Sequence, residues 1–277
     1  MGIFDGCVLA SDIDGTLVES NYINPKNIEK IELFISEGGL LSFSTGRSIG
    51  ALGNILPHFK RVSPSVVGNG CMIYDFTEKK LIYEELVPRD DYYIAELLMN
   101  SGIDVGIEIH SRENVLSIRA NKTSVLHAQY EDFTVDNVDF NTASDYTWNK
   151  VLYAFNSAED REKGIAIIEK ESTTSSFMKT AAVIGGETQY YYEQVPAGAS
   201  KASALSKLCE IYGIDSSNLF AIGDFYNDIE MLKSANIAAV PCTSPDDIKQ
   251  LANYITVSCN DGAVADFIDY LINKYAK

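Results

Sequence analysis

Cys7-Val8-Leu9-Ala10-Ser11, running straight into Asp12-Ile13-Asp14-Gly15-Thr16-Leu17, decides how this chain is read. The apolar run fits a short buried strand, whose alternate side chains point to opposite faces of a sheet. Two carboxylates, Asp12 and Asp14, stand where the run ends and the chain turns at Gly15. Open α/β sheets bind their ligands outside the carboxyl ends of the strands, so this acidic turn is the first candidate site.

Outward from it the chain alternates. Asn24-Pro25 reads as an N-cap with proline at the first helical position, Gly38-Gly39 as a stop, and Ile28, Ile31 and Ile35 share a face between them. A second buried strand over 40–43 delivers Ser44-Thr45-Gly46-Arg47, and Ile49, Leu52 and Leu56 then recur at helical spacing, which predicts a helix after Arg47. A third short strand over 65–67 is broken by Gly68-Asn69-Gly70, and residues 72–74 and 81–83 flank a polar turn as in a hairpin. The pattern then becomes mixed. Helices are predicted after Pro88, near Val125 and over 158–171, with strands at 105–109, 115–118, 150–155, 178–183 and 190–193. This predicts an α+β domain over 84–190, inserted into a doubly wound, mostly parallel α/β core made of 1–83 and 191–277.

From Ser200 the alternation resumes. A helix through Leu205 and Leu208 stops at Gly213, a strand over 219–222 ends in Gly223-Asp224-Phe225-Tyr226-Asn227-Asp228, and a helix with Ile229, Met231 and Leu232 comes next. Short strands at 238–240 and 254–257 and a helix over 262–275 complete the core.

The bulk numbers set limits. A chain of 277 residues with 46% hydrophobic content can bury a substantial core. No apolar run approaches the roughly 20 residues needed to span a bilayer, and no basic signal-peptide start is seen, so a cytoplasmic location is expected. A net charge of -17 argues against nucleic-acid or membrane partners, which recruit excess Lys and Arg, and requires locally placed cations for any anionic substrate. The expected assembly is a monomer or small homo-oligomer. Cys7, Cys71, Cys209, Cys242 and Cys259 are scattered and form no CxxC pair, which fits buried apolar filling rather than disulfides or zinc.

Asp12 with Asp14, Thr45 with Arg47, Lys201, and Asp224 with Asn227 and Asp228 thus all end or start elements of one sheet. Converging carboxylates repel one another unless a hard cation neutralises them, and oxygen ligands with room for water and phosphate suit Mg2+. A lysine and a hydroxyl beside such an ion would complete a phosphate clamp.

In order and spacing these motifs resemble those of the haloacid dehalogenase superfamily, specifically its Cof-type phosphatases with a large inserted C2, type IIB-like cap. Asp12-Ile13-Asp14-Gly15-Thr16 is similar to the first family motif, Thr45-Gly46-Arg47 to the second, Lys201 to the third, and Gly223-Asp224 with Asn227-Asp228 to the fourth. The resemblance implies a phosphatase of small phosphate monoesters, often sugar phosphates, with Asp12 as the nucleophile that forms an aspartyl-phosphate. It implies Asp14 as general acid and base. Mg2+ would be held by Asp12, the backbone carbonyl of Asp14, Asp224 and Asp228, and the phosphoryl group by Thr45, Gly46, Arg47, Lys201 and Asn227. P-type ATPases resemble the first motif but carry threonine at the position of Asp14, and the dehalogenases lack this carboxylate, so Asp14 favours ester hydrolysis. The inserted domain is expected to close over the site, with Glu108, Arg112 and Arg119 as candidate substrate readers. Ser44, Ala202, Phe225 and residues 239–242 depart from the family's usual residues without removing a catalytic group.

Other readings are weaker. A calcium loop starting at Asp12 would put Leu17 where glycine is needed and Ile23 where a bidentate glutamate is needed. Gly46-Arg47-Ser48-Ile49-Gly50 matches a nucleophile elbow, but a serine hydrolase would need a histidine late in the chain, and the last is His127. His58, His110 and His127 show no metal spacing or evident partner. Gly68 and Gly70 are a poor dinucleotide fingerprint because Ile73 replaces its third glycine. A phosphotransferase or mutase of the same chemistry, or a core that binds a phosphorylated ligand without turning it over, are the competing functions.

Overall fold

The computed structural model describes residues 2–20 and 22–275. The chain divides into two compact units, one made of residues 1–46, 55–83 and 200–277 and the other of 47–54 and 84–199.

A five-stranded parallel sheet forms the first unit, in the order Tyr254–Thr256, Ile237–Pro241, Leu219–Ile222, Val8–Ser11, Leu40–Phe43. Its strands Val8–Ser11, Leu219–Ile222 and Ile237–Pro241 are short and buried on both faces, as parallel strands under helices must be. Val8, Ala10, Leu219, Ala221, Ala238 and Val240 pack with Leu205, Leu208, Met231 and Leu232 of helices Lys201–Tyr212 and Ile229–Ser234. Alternate residues face the other way, where Phe220 meets the ring of Tyr275 from helix Ala263–Tyr275. That helix pairs with Pro25–Ser36 through Lys30 Nζ to Asp269 Oδ1 (2.5 Å) and through Ala265 N donating to the buried Asn27 Oδ1 (2.9 Å). The sheet is therefore doubly wound. Ser44 bridges to Val66, which links it to a three-stranded sheet of Ser65–Val67, Met72–Asp75 and Lys80–Glu84.

Local chemistry explains most boundaries. Asn24 accepts a hydrogen bond from Lys26 N ahead of Pro25, and Gly213 ends its helix in the left-handed conformation at φ 65°. The helix predicted after Arg47 does not form. Gly50–Leu52 and Leu56–His58 are isolated 3-10 turns, because Gly50 and Gly53 weaken a helix and Pro57 cannot continue one. The hairpin Val18–Glu19 and Tyr22–Ile23 and the short helices Phe140–Ser144 and Asp246–Lys249 are too brief to leave a periodic signal.

In the second unit a six-stranded sheet runs in the order Asp136–Asn137, Asn114–Arg119, Val105–Ser111, Lys150–Phe155, Glu187–Val195, Ser176–Ile184. All its neighbours are antiparallel except the first pair. One face carries Val105, Ile107, Ile109, Val151, Tyr153 and Phe155 against helices Tyr93–Met99 and Ala158–Ile168, with Trp148 stacked on Tyr92. The opposite face carries Glu108 and His110 and is met by helix Lys122–Glu131, whose His127 pairs with Glu108. The final strand pairs along its whole length with Ser176–Ile184, so this sheet extends to Val195.

Cys7, Cys71, Cys209 and Cys259 are buried and Cys242 is exposed, and among the described residues none is in a disulfide. Among the described residues no helix is long and apolar enough to cross a membrane.

Candidate active site

Strand Val8–Ser11 lies between Leu219–Ile222 and Leu40–Phe43, and connections leave it in opposite directions on its two sides. That reversal opens a crevice at the carboxyl ends of the two central strands. Asp12 stands after one of them and Asp224 after the other, and Asp12 N donates to Ile222 O (2.9 Å). Gly15 stands at φ +81°, and a Cβ there would run into the Asp224 carboxylate, so only glycine lets the two acidic loops approach. Thr16 Oγ1 donates to Asp224 Oδ1 (3.1 Å).

Lys201 opens its helix behind Ser200, whose side chain caps Ser203 N (3.1 Å) while Ser203 Oγ accepts from Ser200 N (2.9 Å). A Cβ on Gly70, at φ +100°, would overlap the Ser200 carbonyl, which fixes the helix start against the 68–70 turn. From there Lys201 Nζ donates to Asp12 Oδ1 (2.6 Å) and Asp228 Oδ1 (2.7 Å). The other Asp228 oxygen, Oδ2, accepts from Asp224 N (3.0 Å) and Phe225 N (3.1 Å). One carboxylate of Asp228 therefore shapes its own loop and anchors the lysine. Asp12, Asp224 and Asp228 each offer a carboxylate oxygen within 4.8 Å of the others.

Asp14 is half-buried beside this group, its backbone bridged to Val18. Thr45 is buried at the end of its strand, with its N–H donated to Val66 O (3.0 Å). Asn69, given no role by the sequence, ties three loops. Its N–H donates to Thr45 O (2.9 Å), its Oδ1 accepts from Asn227 Nδ2 (3.3 Å), and its side chain lies against Gly46. The signal was its position between two glycines, since asparagine tolerates the left-handed conformation it takes at φ 57°. Arg47 groups with the second unit, where it is buried and donates to Ala51 O (3.2 Å). Ser48 Oγ accepts from Ala51 N (3.4 Å), a turn contact.

A model of the haloacid dehalogenase-like hydrolases matches residues 9–268. The chain belongs to that family. It is 26% identical over 293 aligned residues, covering 97% of this chain and 99% of the other, to the Bacillus subtilis 5-amino-6-(5-phospho-D-ribitylamino)uracil phosphatase YwtE. Its fold is similar to that of the HAD subclass IIB sugar phosphatase BT4131, with TM-score 0.81, 19% identity and coverage of 96% and 98%. TM0651 from Thermotoga maritima gives TM-score 0.81, 21% identity and coverage of 95% and 97%. This HAD-like chain is a Cof-type enzyme of the phosphatase kind.

The electrostatics of the HAD-like site are unbalanced. Asp12, Asp228 and Lys201 are 5%, 0% and 1% exposed, so water screens little of their charge. Burial pushes the Asp12 carboxyl well up, and Asp228, Asp224 and Asp14 push it further against the pull of Lys201. Burial and Asp228 likewise push Asp224 up to about 7. Lys201 is held above its ordinary range because Asp12 and Asp228 outweigh its own burial. A hard divalent cation fits this all-oxygen donor set, since it would restore the ionised state of Asp12 and Asp224.

The histidines differ from their reading as lone residues. His127 Nδ1 lies 2.8 Å from Glu108 Oε2 and its Nε2 3.3 Å from Glu131 Oε1, all in the second unit. Glu108 is thereby committed to a buried network. Arg112 forks onto Glu84 (3.1 and 2.5 Å), and Arg119 Nη1 donates to Met99 O (2.8 Å).

Proposed function

We propose that this enzyme is a Mg2+-dependent phosphatase of small phosphate monoesters, sugar phosphates or similar metabolites, working through an aspartyl-phosphate. One observation carries the reading: a buried lysine bridges Asp12 and Asp228 within a group of three carboxylates at the sheet's switch point. Such a site accommodates a dication and an anion together.

Asp12 attacks phosphorus, and the bond from phosphorus to the leaving oxygen breaks as Asp14 gives that oxygen a proton. Asp14, now a carboxylate, takes a proton from water, whose oxygen attacks the phosphoryl group and frees Asp12 and inorganic phosphate. Lys201, Thr45, Gly46, Arg47 and Asn227 hold the phosphoryl oxygens, and Lys201 also favours the ionised form of Asp12. Asp12, the backbone carbonyl of Asp14, Asp224 and Asp228 would hold Mg2+, which would supply positive charge to the phosphoryl oxygens. The first unit performs the chemistry and the second selects the substrate. A relative named for a phosphoribityl compound and a structural neighbour named as a sugar phosphatase support a polyol or sugar leaving group.

The test is phosphate release from p-nitrophenyl phosphate and from a panel of phosphorylated metabolites, with and without Mg2+. Release should require the metal, stop with EDTA, and be lost in Asp14→Asn. Hydrolysis that survives both EDTA and Asp14→Asn sinks the mechanism, and transfer to a second sugar in place of phosphate release identifies a phosphotransferase.

A further inference from the structure

Strand Ser176–Ile184 forms one edge of the six-stranded sheet and, at nine residues, is the longest edge strand among the described residues. It pairs without a bulge with Glu187–Val195, through a turn in which Gly185 (φ 61°) and Gly186 (φ 84°) are both left-handed. Such a two-residue turn makes the flanking pair, Ile184 and Glu187, a hydrogen-bonded one, and pairs along an antiparallel ladder then alternate in kind. The even-numbered peptide groups therefore face Glu187–Val195, and those of Phe177, Lys179, Ala181 and Val183 face outward. Among the described residues no hydrogen bond reaches these outward N–H and C=O groups.

Folded proteins blunt such edges with short strands, proline, bulges or free charge, because an open edge is a template for another strand. The opposite edge of this sheet is only Asp136–Asn137, two acidic or polar residues. Ser176–Ile184 has neither proline nor bulge, and its one charged residue, Lys179, is tied to Glu162 (2.9 Å). Lys179, Ala181 and Val183 are exposed, Val183 to 67%, while Phe177 on the same side stacks on Tyr192.

We propose that this edge pairs antiparallel with the same strand of a second copy of the chain, joining two six-stranded sheets across a two-fold axis at Thr180. The side chains choose the register. Centred on Thr180, all nine residues pair, Phe177 lies opposite Val183 of the second copy, and Lys179 lies opposite Ala181. An aromatic ring opposite a β-branched side chain is a favourable cross-strand pair, and the symmetry supplies it twice. Sliding by one residue would set outward peptide groups against inward ones, and centring on Lys179 would oppose like charges directly. In the Thr180 register the two lysines are only diagonal neighbours, each held by its own Glu162. The strand is about 30 Å long, so pairing adds about eight hydrogen bonds and buries roughly 1,000 Å² in all, the low end for a specific interface. Pairing consumes the edge of both copies, so assembly stops at the dimer. The assignment does not depend on the phosphatase reading.

The experiment is sedimentation velocity of the full-length protein from about 1 to 200 µM, where monomer should give way to dimer with a Kd on the order of 10 µM. Ala181→Pro removes an outward N–H that no protein group uses, and should weaken the dimer about tenfold or more while leaving Trp148 fluorescence unchanged. Val183→Lys sets a charge opposite Phe177 of the second copy, should weaken the dimer about tenfold, and decides alone if the proline variant misfolds. Thr180→Cys tests the register. Residues opposed in a non-hydrogen-bonded pair have Cα atoms about 4.5 Å apart, within reach of a disulfide. Oxidation should therefore cross-link Thr180→Cys into a covalent dimer, but neither Val183→Cys nor the unsubstituted chain with its exposed Cys242. A chain that stays monomeric throughout would leave the edge to an extended segment of some other protein and overturn the proposal. So would a dimer that survives both Ala181→Pro and Val183→Lys, equal cross-linking of Val183→Cys, or assemblies larger than a dimer.

Discussion

The two units each bury a cluster of acids, and the clusters are built on opposite principles. In the first, Asp12, Asp224 and Asp228 share a single lysine. In the second, Glu108 and Glu131 share His127, Glu193 Oε2 lies 3.1 Å from Lys150 Nζ, and the Arg47 charge also favours ionised Glu131. The consequence appears in the carboxyl groups themselves. Asp12 and Asp224 are pushed up, whereas Glu108 and Glu131 are held down, Glu131 to about 2, because their bases outweigh burial. A cluster whose charges close on themselves serves the fold. One left short of positive charge is poised to take it from a ligand, at a cost in stability when the ligand is absent.

That contrast can be broken most sharply by Asp12→Asn. It should lower turnover by about 10⁴-fold or more, as loss of a nucleophile does, while raising the melting temperature in EDTA because one buried repulsion is gone. A destabilised Asp12→Asn protein in EDTA would contradict the imbalance. His127→Gln should do the reverse, costing about 3–5 kcal/mol of stability by leaving Glu108 and Glu131 without their shared cation. Trp148, the chain's single tryptophan, is fully buried in the second unit's core, so its fluorescence during urea unfolding reads this loss directly. Unchanged unfolding of His127→Gln would show that the network carries no net charge coupling.

The smallest effect is in the pH dependence, where the clusters should move in opposite directions. Asp224 is raised from 3.8 to about 7, so its contribution in EDTA is present below pH 3.8 and lost as pH rises through about 7. Glu131 is lowered from 4.5 to about 2, so its contribution is present above pH 4.5 and lost as pH falls through about 2. His127 is raised from 6.5 to about 10, so its share is present below 6.5 and lost as pH rises through about 10. Between pH 4.5 and 6.5 the second unit should hold steady while the first weakens by on the order of 1–2 kcal/mol, measured by hydrogen exchange of the central strands. Saturating Mg2+ should abolish that decline, and a decline that persists in Mg2+ would argue against a cation at Asp224.

The residues of the first cluster were legible because each ends or begins a strongly patterned element. Buried runs at 8–11 and 219–222 announce strands, and the residues just past a parallel strand reach the ligand end of the sheet. The second cluster was not, because its pairing is made by register. Glu108 and His127 come together only when a strand and the helix crossing it are docked, and the sole local trace was the i, i+4 spacing of His127 and Glu131. The missing helix after Arg47 failed for a different reason: apolar spacing was right, but Gly50, Gly53 and Pro57 overrode it. Asn69 was hidden because its work is done by backbone and amide contacts to loops distant in sequence, which leave no periodicity.

The discontinuous first unit also bears on the order in which the protein is made. Val8 and Ser11 emerge from the ribosome early, yet their neighbours on one side, Leu219 and Ile222, are among the last strand residues synthesised. The six-stranded sheet, between residues 105 and 195, has all its strand partners within itself and can fold while the central strand still lacks half of its hydrogen bonds. Long-range parallel pairing is slow to form, so closure of the Val8–Ser11 strand is the late step of biogenesis. Until then Asp12 has neither Lys201 nor Asp228 beside it, and a nascent chain carries no premature catalytic centre.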